Sequence, residues 1–111
     1  MVIESPFPEF SPELMKLLFP SEFPGWAIEH ASILETSLML HLHPDVVRQD
    51  QIKDDRPEKI VSYDVLPIQD EHVAKSGTLW KASQASAEKG RIAWEEITTG
   101  LHKMISTELF S

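Results

Sequence analysis

The chain contains no cysteine, which excludes disulfide bridges and thiolate metal sites and accords with a reducing, cytoplasmic setting. Basic residues are few: ten Lys and Arg stand against 18 Asp and Glu, a formal charge of −8. They are scattered, with no stripe and no interleaved aromatics, so nucleic acid and anionic membrane surfaces are disfavoured as partners. A long apolar run is also missing. The most apolar stretch, around Ile33 to Leu42, is broken by Glu35, Thr36, Ser37 and His41 and falls well short of the roughly 20 residues that a bilayer span needs. Met1-Val2-Ile3-Glu4-Ser5-Pro6 carries neither the positive charge nor the apolar stretch of a secretion signal. Glycine-rich phosphate loops and serine or cysteine nucleophile motifs are lacking as well. A chain of 111 residues is at most one domain, burying somewhat less than about 70% of its unfolded surface. A soluble cytoplasmic protein with a small core is the expectation.

Along the chain, Met1 to Ile3 reads as the end of a strand, because Pro6 and Pro8 stop any continuation. Ser11-Pro12-Glu13 is a helix start, with serine as N-cap, proline at the first helical position and an acid in the positively polarised first turn. Leu14, Leu17 and Leu18 form its expected buried face, Phe10 and Met15 have the spacing of a hydrophobic staple, and Pro20 ends it near Phe19. A second helix is expected from Ala31 or Ser32 to His41, stopping before Pro44. Its apolar residues Ile33, Leu34, Leu38, Met39, Leu40 and Leu42 cover nearly the whole circumference, so it must be covered on several sides. From Asp45 to Ser76 the chain is charged and irregular, with one alternating segment, Ile60 to Leu66, that is extended or a strand. The last and firmest helix is expected from about Ser83 to Leu109, with Trp94, Ile97, Leu101, Met104 or Ile105, and Leu109 as its apolar seam. Gly90 and Gly100 weaken it by up to about 1 kcal/mol each and mark either close packing or a kink.

This inventory is lopsided. An all-round apolar helix normally packs on a sheet or on other helices, yet only one strand stub and one weak strand are on offer, so a layered domain is incomplete within these residues.

The residues suited to chemistry lie just before the second helix, in Gly25-Trp26-Ala27-Ile28-Glu29-His30-Ala31-Ser32-Ile33-Leu34-Glu35-Thr36-Ser37-Leu38-Met39-Leu40. His30, beside a carboxylate at a loop-to-helix junction, can exchange protons near neutral pH; a histidine next to a glutamate is otherwise a hydrogen-bonded structural residue. Glu29 either orients and charge-stabilises His30 or is a solvated first-turn carboxylate. Glu35 sits among Ile33, Leu34, Leu38 and Met39, where a buried carboxylate is costly unless paired. It meets His30 only if His30 precedes the regular helix, since five residues is not a same-face spacing; a structural cap or salt bridge is the alternative role. Trp26 is a pocket wall or a core aromatic pinned by Gly25. His41 and His43 point to different faces of a helix end and read as a solvated terminus. His72 and His102 have no local context.

The Glu-His-Ala and Glu-Thr-Ser elements at this spacing, with the preceding Gly-Trp, resemble the signature of the creatininase family of metal-dependent amidohydrolases. The resemblance runs from the stub strand to the final helix, and it implies an α/β chain: residues 1–111 as the C-terminal portion of a three-layer α/β/α domain, mostly helical with one or two short strands. It also implies that His30 faces the substrate and assists proton transfer to an opening amide, with Glu29 and Glu35 beside it and Trp26 lining the substrate pocket. Ser76-Gly77-Thr78 and Ala85 to Gly90 resemble the family's loop and its entry into the terminal helix. The family's metal ligands precede the resembling region, so no metal ligand is assigned in this chain. A complete member would hold divalent zinc or manganese, act on a small-molecule amide or formamide and assemble as a homo-oligomer. This chain would need the missing N-terminal half, or a partner chain that supplies it, and would otherwise be an inactive remnant or interaction subunit. Creatinine-hydrolysing members carry Asp where this chain has Ala27, and an aromatic residue at about the place of Pro6.

Overall fold

The computed structural model describes residues 1–5 and 9–110. Three α-helices carry it: α1 (Pro12–Leu18), α2 (Ile33–Leu42) and α3 (Ala87–Leu109), with single 3-10 turns at Pro44–Val46, Gln49–Gln51, Asp70–His72 and Ala82–Gln84. None is long and apolar enough to cross a membrane.

The first helix starts as its sequence dictates. Ser11 Oγ accepts the N–H of Leu14 at 3.2 Å, and Pro12 occupies the first turn. A second constraint reaches Ser11 from α3: its backbone N–H and its hydroxyl both donate to the Glu96 carboxylate, the hydroxyl at 2.8 Å. Leu14 and Leu18 are buried, and Phe10 and Met15 both pack against the core. Leu17 departs from the expected buried face at 37% exposed, because only one flank of this two-turn helix is covered. The core joins Leu14, Leu18 and Phe19 to Ile33 and Leu34 of α2 and Ala93 of α3.

Contact between α2 and α3 dominates the packing. At its centre Gly90 lies so close to α2 that a Cβ built on it would stand 1.8 Å from the carbonyl oxygen of Ser37. Ser37 is fully buried, and its hydroxyl accepts the backbone N–H of Ser86 at 3.1 Å. Ser86 in turn caps α3, its own hydroxyl accepting the N–H of Lys89 at 3.2 Å. This cap places the start of α3 at Ala87, later than the expected Ser83; the residues before it form the 3-10 turn at Ala82–Gln84.

The buried stripe of α3 is Gly90, Ala93 and Ile97. Trp94, expected in the seam, is 39% exposed, because backbones in close approach leave room between them only for small side chains. Farther along, Leu101, Met104 and Ile105 are half-buried and Leu109 is exposed. Helix α3 is about 34 Å long and α2 about 15 Å, so the last turns of α3 outrun their neighbour.

The two strand expectations are corrected, for no strand forms among the described residues. Residues Met1 to Ile3 have no ladder partner. Near Ile60 to Leu66 one backbone bond forms, from Lys59 N–H to the Glu71 carbonyl at 2.8 Å, and pairing stops there. Tyr63 and Leu66 are exposed, so the alternating pattern has no covered face to make it pay. The all-round apolar α2 likewise leaves Met39 40% exposed. A radius of gyration of 15.9 Å exceeds the roughly 13 Å expected of a compact domain of this length, in keeping with so few neighbours around the helices.

Replacing Gly90 by Ala should push the two helices apart and lower stability by about 1–3 kcal/mol, the usual cost of overpacking. A urea midpoint equal to that of the parent chain would show that the helices part freely.

Candidate functional site

The predicted site residues surround one turn at the N-terminus of α2. Gly25 opens it at φ +92°, and Ile28 and Glu29 both donate their N–H groups to its carbonyl, at 3.1 and 3.0 Å. Ala31 then takes a positive φ of 49°, a left-handed conformation that disfavours a Cβ. Side chains hold it there. The Glu35 carboxylate accepts the Ala31 N–H, and Thr36 Oγ1 donates to the Ala31 carbonyl at 3.4 Å.

The backbone of His30 is tied at both ends. Its N–H donates to the Ile28 carbonyl at 2.8 Å, and its own carbonyl accepts the Ser32 hydroxyl and the Leu79 N–H, each at 3.1 Å. The imidazole is left outside this net, 64% exposed, with Nδ1 3.8 Å from Glu35 Oε2. His30 lies three residues before the first residue of α2, so it meets Glu35 as the condition on spacing required. Glu35 is not buried among its apolar sequence neighbours; its side chain is 50% exposed. Successive residues on a helix are rotated by about 100°, so Ile33 and Leu34 face the core while Glu35 turns outward.

Glu29 is the buried carboxylate, only 7% exposed, which overturns its reading as a solvated acid. Its Oε1 accepts the N–H of Leu34 at 3.1 Å, in the first turn of α2. It thereby does the work of an N-cap, since Ser32 makes no side-chain cap. Burial raises its pKa above the ordinary 4.5, with the N–H groups of Leu34 and Ile33 pulling the other way.

Trp26 sits in an aromatic cluster, edge-on to Phe10, Phe19 and Phe23 at centroid distances of 5.6, 6.1 and 4.9 Å, yet is 49% exposed. It lines a crevice of about 420 Å³ with Glu29 and Glu35. His30 does not line that crevice. It stands instead between two others: a polar one of about 650 Å³ walled by Glu35, Thr36, Arg48, Ser76 and Thr78, and a more apolar one of about 820 Å³ containing Ala27, Ile28 and Leu79. Glu35 is shared by the Trp26 crevice and the polar one. Trp26, Glu29 and Glu35 are thus brought together, as are Glu35 and His30, whereas Trp26 and His30 are not. Pro6, the second position of substrate interest, lies outside the described residues.

The loop after α2 joins this site through tertiary ties. Asp55 accepts both the N–H and the hydroxyl of Ser76, at 3.0 and 2.7 Å, and Asp54 does the same for Ser83 at 2.8 Å each. They set Ser76-Gly77-Thr78 and Leu79 against His30. His72, which had no context in sequence, enters the apolar crevice with His30; 42 residues separate the two, and no local signal links them. His43 is exposed at the end of α2, His41 is half-buried against Gly90, and His102 is exposed on α3. No three His, Asp or Glu side chains converge among the described residues, so the side chains present do not fit a metal ion.

A model of the family described as creatininase, creatinine amidohydrolase, matches residues 14–105. The chain belongs to the creatininase family. It is 40% identical over 97 residues to the creatinine amidohydrolase of Pseudomonas putida, a match covering 87% of this chain and 37% of that protein. Among solved structures, a mutant creatininase complexed with creatine superposes with a TM-score of 0.84 at 38% identity, over 93% of this chain and 40% of that one. A manganese creatininase gives 0.81 at 39% identity over 90% and 39%, and a mutant of zinc–zinc type gives 0.83 at 39% identity over 91% and 39%. The chain therefore spans about two-fifths of the length of the creatininases it matches. Divalent metal occurs in this family, and the fold seen here is that of the corresponding portion of a creatininase.

A Glu29→Gln variant keeps the bond to Leu34 and removes the titration. Because the folded pKa lies above the unfolded one, the protonated acid's contribution to stability is complete below 4.5 and is lost as pH rises through the folded value. The parent-minus-variant difference in urea midpoint should therefore fall with rising pH across that interval. A difference independent of pH would show that Glu29 titrates alike in both states.

Proposed function

We propose that residues 1–111 form the C-terminal, His30-bearing part of a metal-dependent amidohydrolase that breaks the C–N bond of a cyclic amide or a related amide or formamide. The observation that carries this reading is an imidazole exposed on a backbone held from both sides, 3.8 Å from the Glu35 carboxylate, in a chain that belongs to the creatininase family. An accessible histidine beside a carboxylate suits proton transfer to the nitrogen that leaves as the amide opens. Glu35 holds the turn beside the imidazole; Glu29 fixes the start of α2 beneath it. Trp26 walls the neighbouring crevice and shields one side of the turn from water. The metal of a complete enzyme would activate water and polarise the carbonyl; its ligands, and the sheet of a three-layer domain, would come from the part of the family's length that this chain does not span. That part would be either continuous with this sequence or a separate polypeptide. Cytoplasmic residence and homo-oligomeric assembly complete the proposal.

A second reading is favoured by the thin core and by the exposed apolar faces of α2 and α3. In it the chain is a non-catalytic remnant or an interaction subunit, inert without an N-terminal partner. Both readings place the chain alone outside catalysis.

The test is co-expression with the N-terminal portion of the creatinine amidohydrolase that the chain does not match, with zinc or manganese supplied, and assay of amide and formamide hydrolysis. Activity should require both polypeptides, and His30→Ala should slow turnover about 100-fold or more with metal content unchanged. Loss of metal along with activity would show that His30 is misassigned. Hydrolysis by the 111-residue chain alone would overturn the assignment of catalysis to the completed domain, and an inert pair would favour the remnant.

A further inference from the structure

Asp54 and Asp55 are adjacent carboxylates, and each holds one serine by two bonds. Asp55 Oδ2 accepts the N–H and the hydroxyl of Ser76 at 3.0 and 2.7 Å; the Asp54 carboxylate accepts those of Ser83, each at 2.8 Å. The two serines end a strap of residues 76–83, and Asp55 reaches its middle as well, its N–H donating to the Trp80 carbonyl at 3.2 Å. Ser76 passes the hold inward: its hydroxyl donates to Asp55 while its Oγ accepts the N–H of Thr78 at 3.2 Å. One residue farther on, the N–H of Leu79 donates to the His30 carbonyl at 3.1 Å. The other backbone bonds of His30, to Ile28 and from Ser32, run within its own turn. Among the described residues only Leu79 bonds to its backbone from far along the chain. Bonds inside a turn fix its shape, whereas a bond from another segment fixes its place. Glu29 and Glu35 tie the turn to α2, and the strap supplies the second hold.

We propose that Asp55 is a positioning residue for His30: through Ser76 and the strap it keeps the Leu79 N–H on the His30 carbonyl, and so sets where the imidazole stands. This deepens the amidohydrolase reading and rests on it for the chemical role of His30. Asp55 lines neither of the crevices that His30 lines, so its influence runs through the backbone and not through contact with a ligand. Asp54 fastens only the far end of the strap; Asp55 holds both the near end and the middle. A carboxylate suits the task because it accepts without donating, and its charge strengthens each bond it takes. The bonds from Ser76 are also what chiefly keeps the Asp55 carboxyl below the usual carboxylate range, so the acceptor is charged at neutral pH. Placement matters to a proton donor because transfer needs hydrogen-bond reach, and a misplacement of about 1 Å costs on the order of 100-fold in rate.

The test is amide hydrogen exchange and imidazole NMR on the 111-residue chain, parent against Asp55→Ala, with the His30 ring signals assigned by their loss in His30→Ala. The Leu79 amide should exchange at least about tenfold faster in Asp55→Ala, the worth of a hydrogen bond to a charged acceptor, and the His30 ring resonances should shift. Asp55→Asn, which keeps an acceptor oxygen for Ser76, should recover part of the protection. The amide of Ala93, in the core, should exchange as in the parent; an equal loss there would mean that Asp55 holds the whole fold, and would overturn the proposal. A Leu79 amide or a His30 ring that ignores the substitution would overturn it too. In the enzyme completed by the co-expressed N-terminal portion, Asp55→Ala should lower kcat about tenfold to 100-fold with KM and metal content unchanged. In the His30→Ala background it should lower kcat no further. An equal loss with and without His30 would show that Asp55 acts elsewhere. An inert pair would remove the amidohydrolase reading, while the Leu79 and His30 readouts would still decide whether Asp55 places the imidazole.

Discussion

The structure depends on the near-contact of two backbones, that of Gly90 on α3 and that of Ser37 on α2. The turn that carries His30 leads into α2, and α2 is held chiefly by α3. A glycine lets the helices approach until a single methyl group would collide with the Ser37 carbonyl. The buried Ser37 hydroxyl then takes the N–H of Ser86, the residue that caps α3. One contact thus sets both the separation of the helices and the start of the longer one.

Above that contact the site motif proves to be mostly an instrument of shape. Glu29 caps the first turn of α2 from inside the protein, Glu35 and Thr36 clamp Ala31 in its left-handed conformation, Ser32 holds the His30 carbonyl, and Ser37 anchors the helix to α3. Five neighbouring side chains thus spend hydrogen bonds on the backbone, and the imidazole of His30 is left exposed beside them. This separates two arrangements that adjacency in sequence had merged: Glu29 and Glu35 bond to the backbone of the turn, while the imidazole of His30 stays exposed beside it.

The loop between α2 and α3 is irregular, yet it is tied down at chosen points. Asp54 and Asp55 each seize a serine through both N–H and hydroxyl, bringing the stretch around Leu79 back to the His30 carbonyl. The hydrogen bonds to Ser76 are also the leading reason that the Asp55 pKa is lowered. The loop is therefore part of the site wall, and it supplies His72 and Tyr63 to a crevice that the helices alone would leave open.

Local rules sufficed for the parts of this chain that depend on local forces. Ser11-Pro12-Glu13 predicts a cap and a helix start, Pro44 predicts the end of α2, and the spacing of His30 and Glu35 predicts that they meet only across a loop-to-helix junction; each holds because caps, proline geometry and helical rotation act over a few residues. Gly90 was legible as either a kink or a close contact, and packing chose the contact. Strand character at Met1 to Ile3 and Ile60 to Leu66, burial of Glu35 and a seam through Trp94 all failed for one reason: alternation and apolarity state what a segment would bury, while its neighbours decide whether anything covers it. The sequence by itself determined the helices, the acidic character and the family-bearing turn around His30. Only the tertiary structure decided that Glu29 is the buried acid, that Trp26 and His30 open onto different crevices, and that His72 stands across from His30, because those outcomes rest on contacts between residues that no local force brings together.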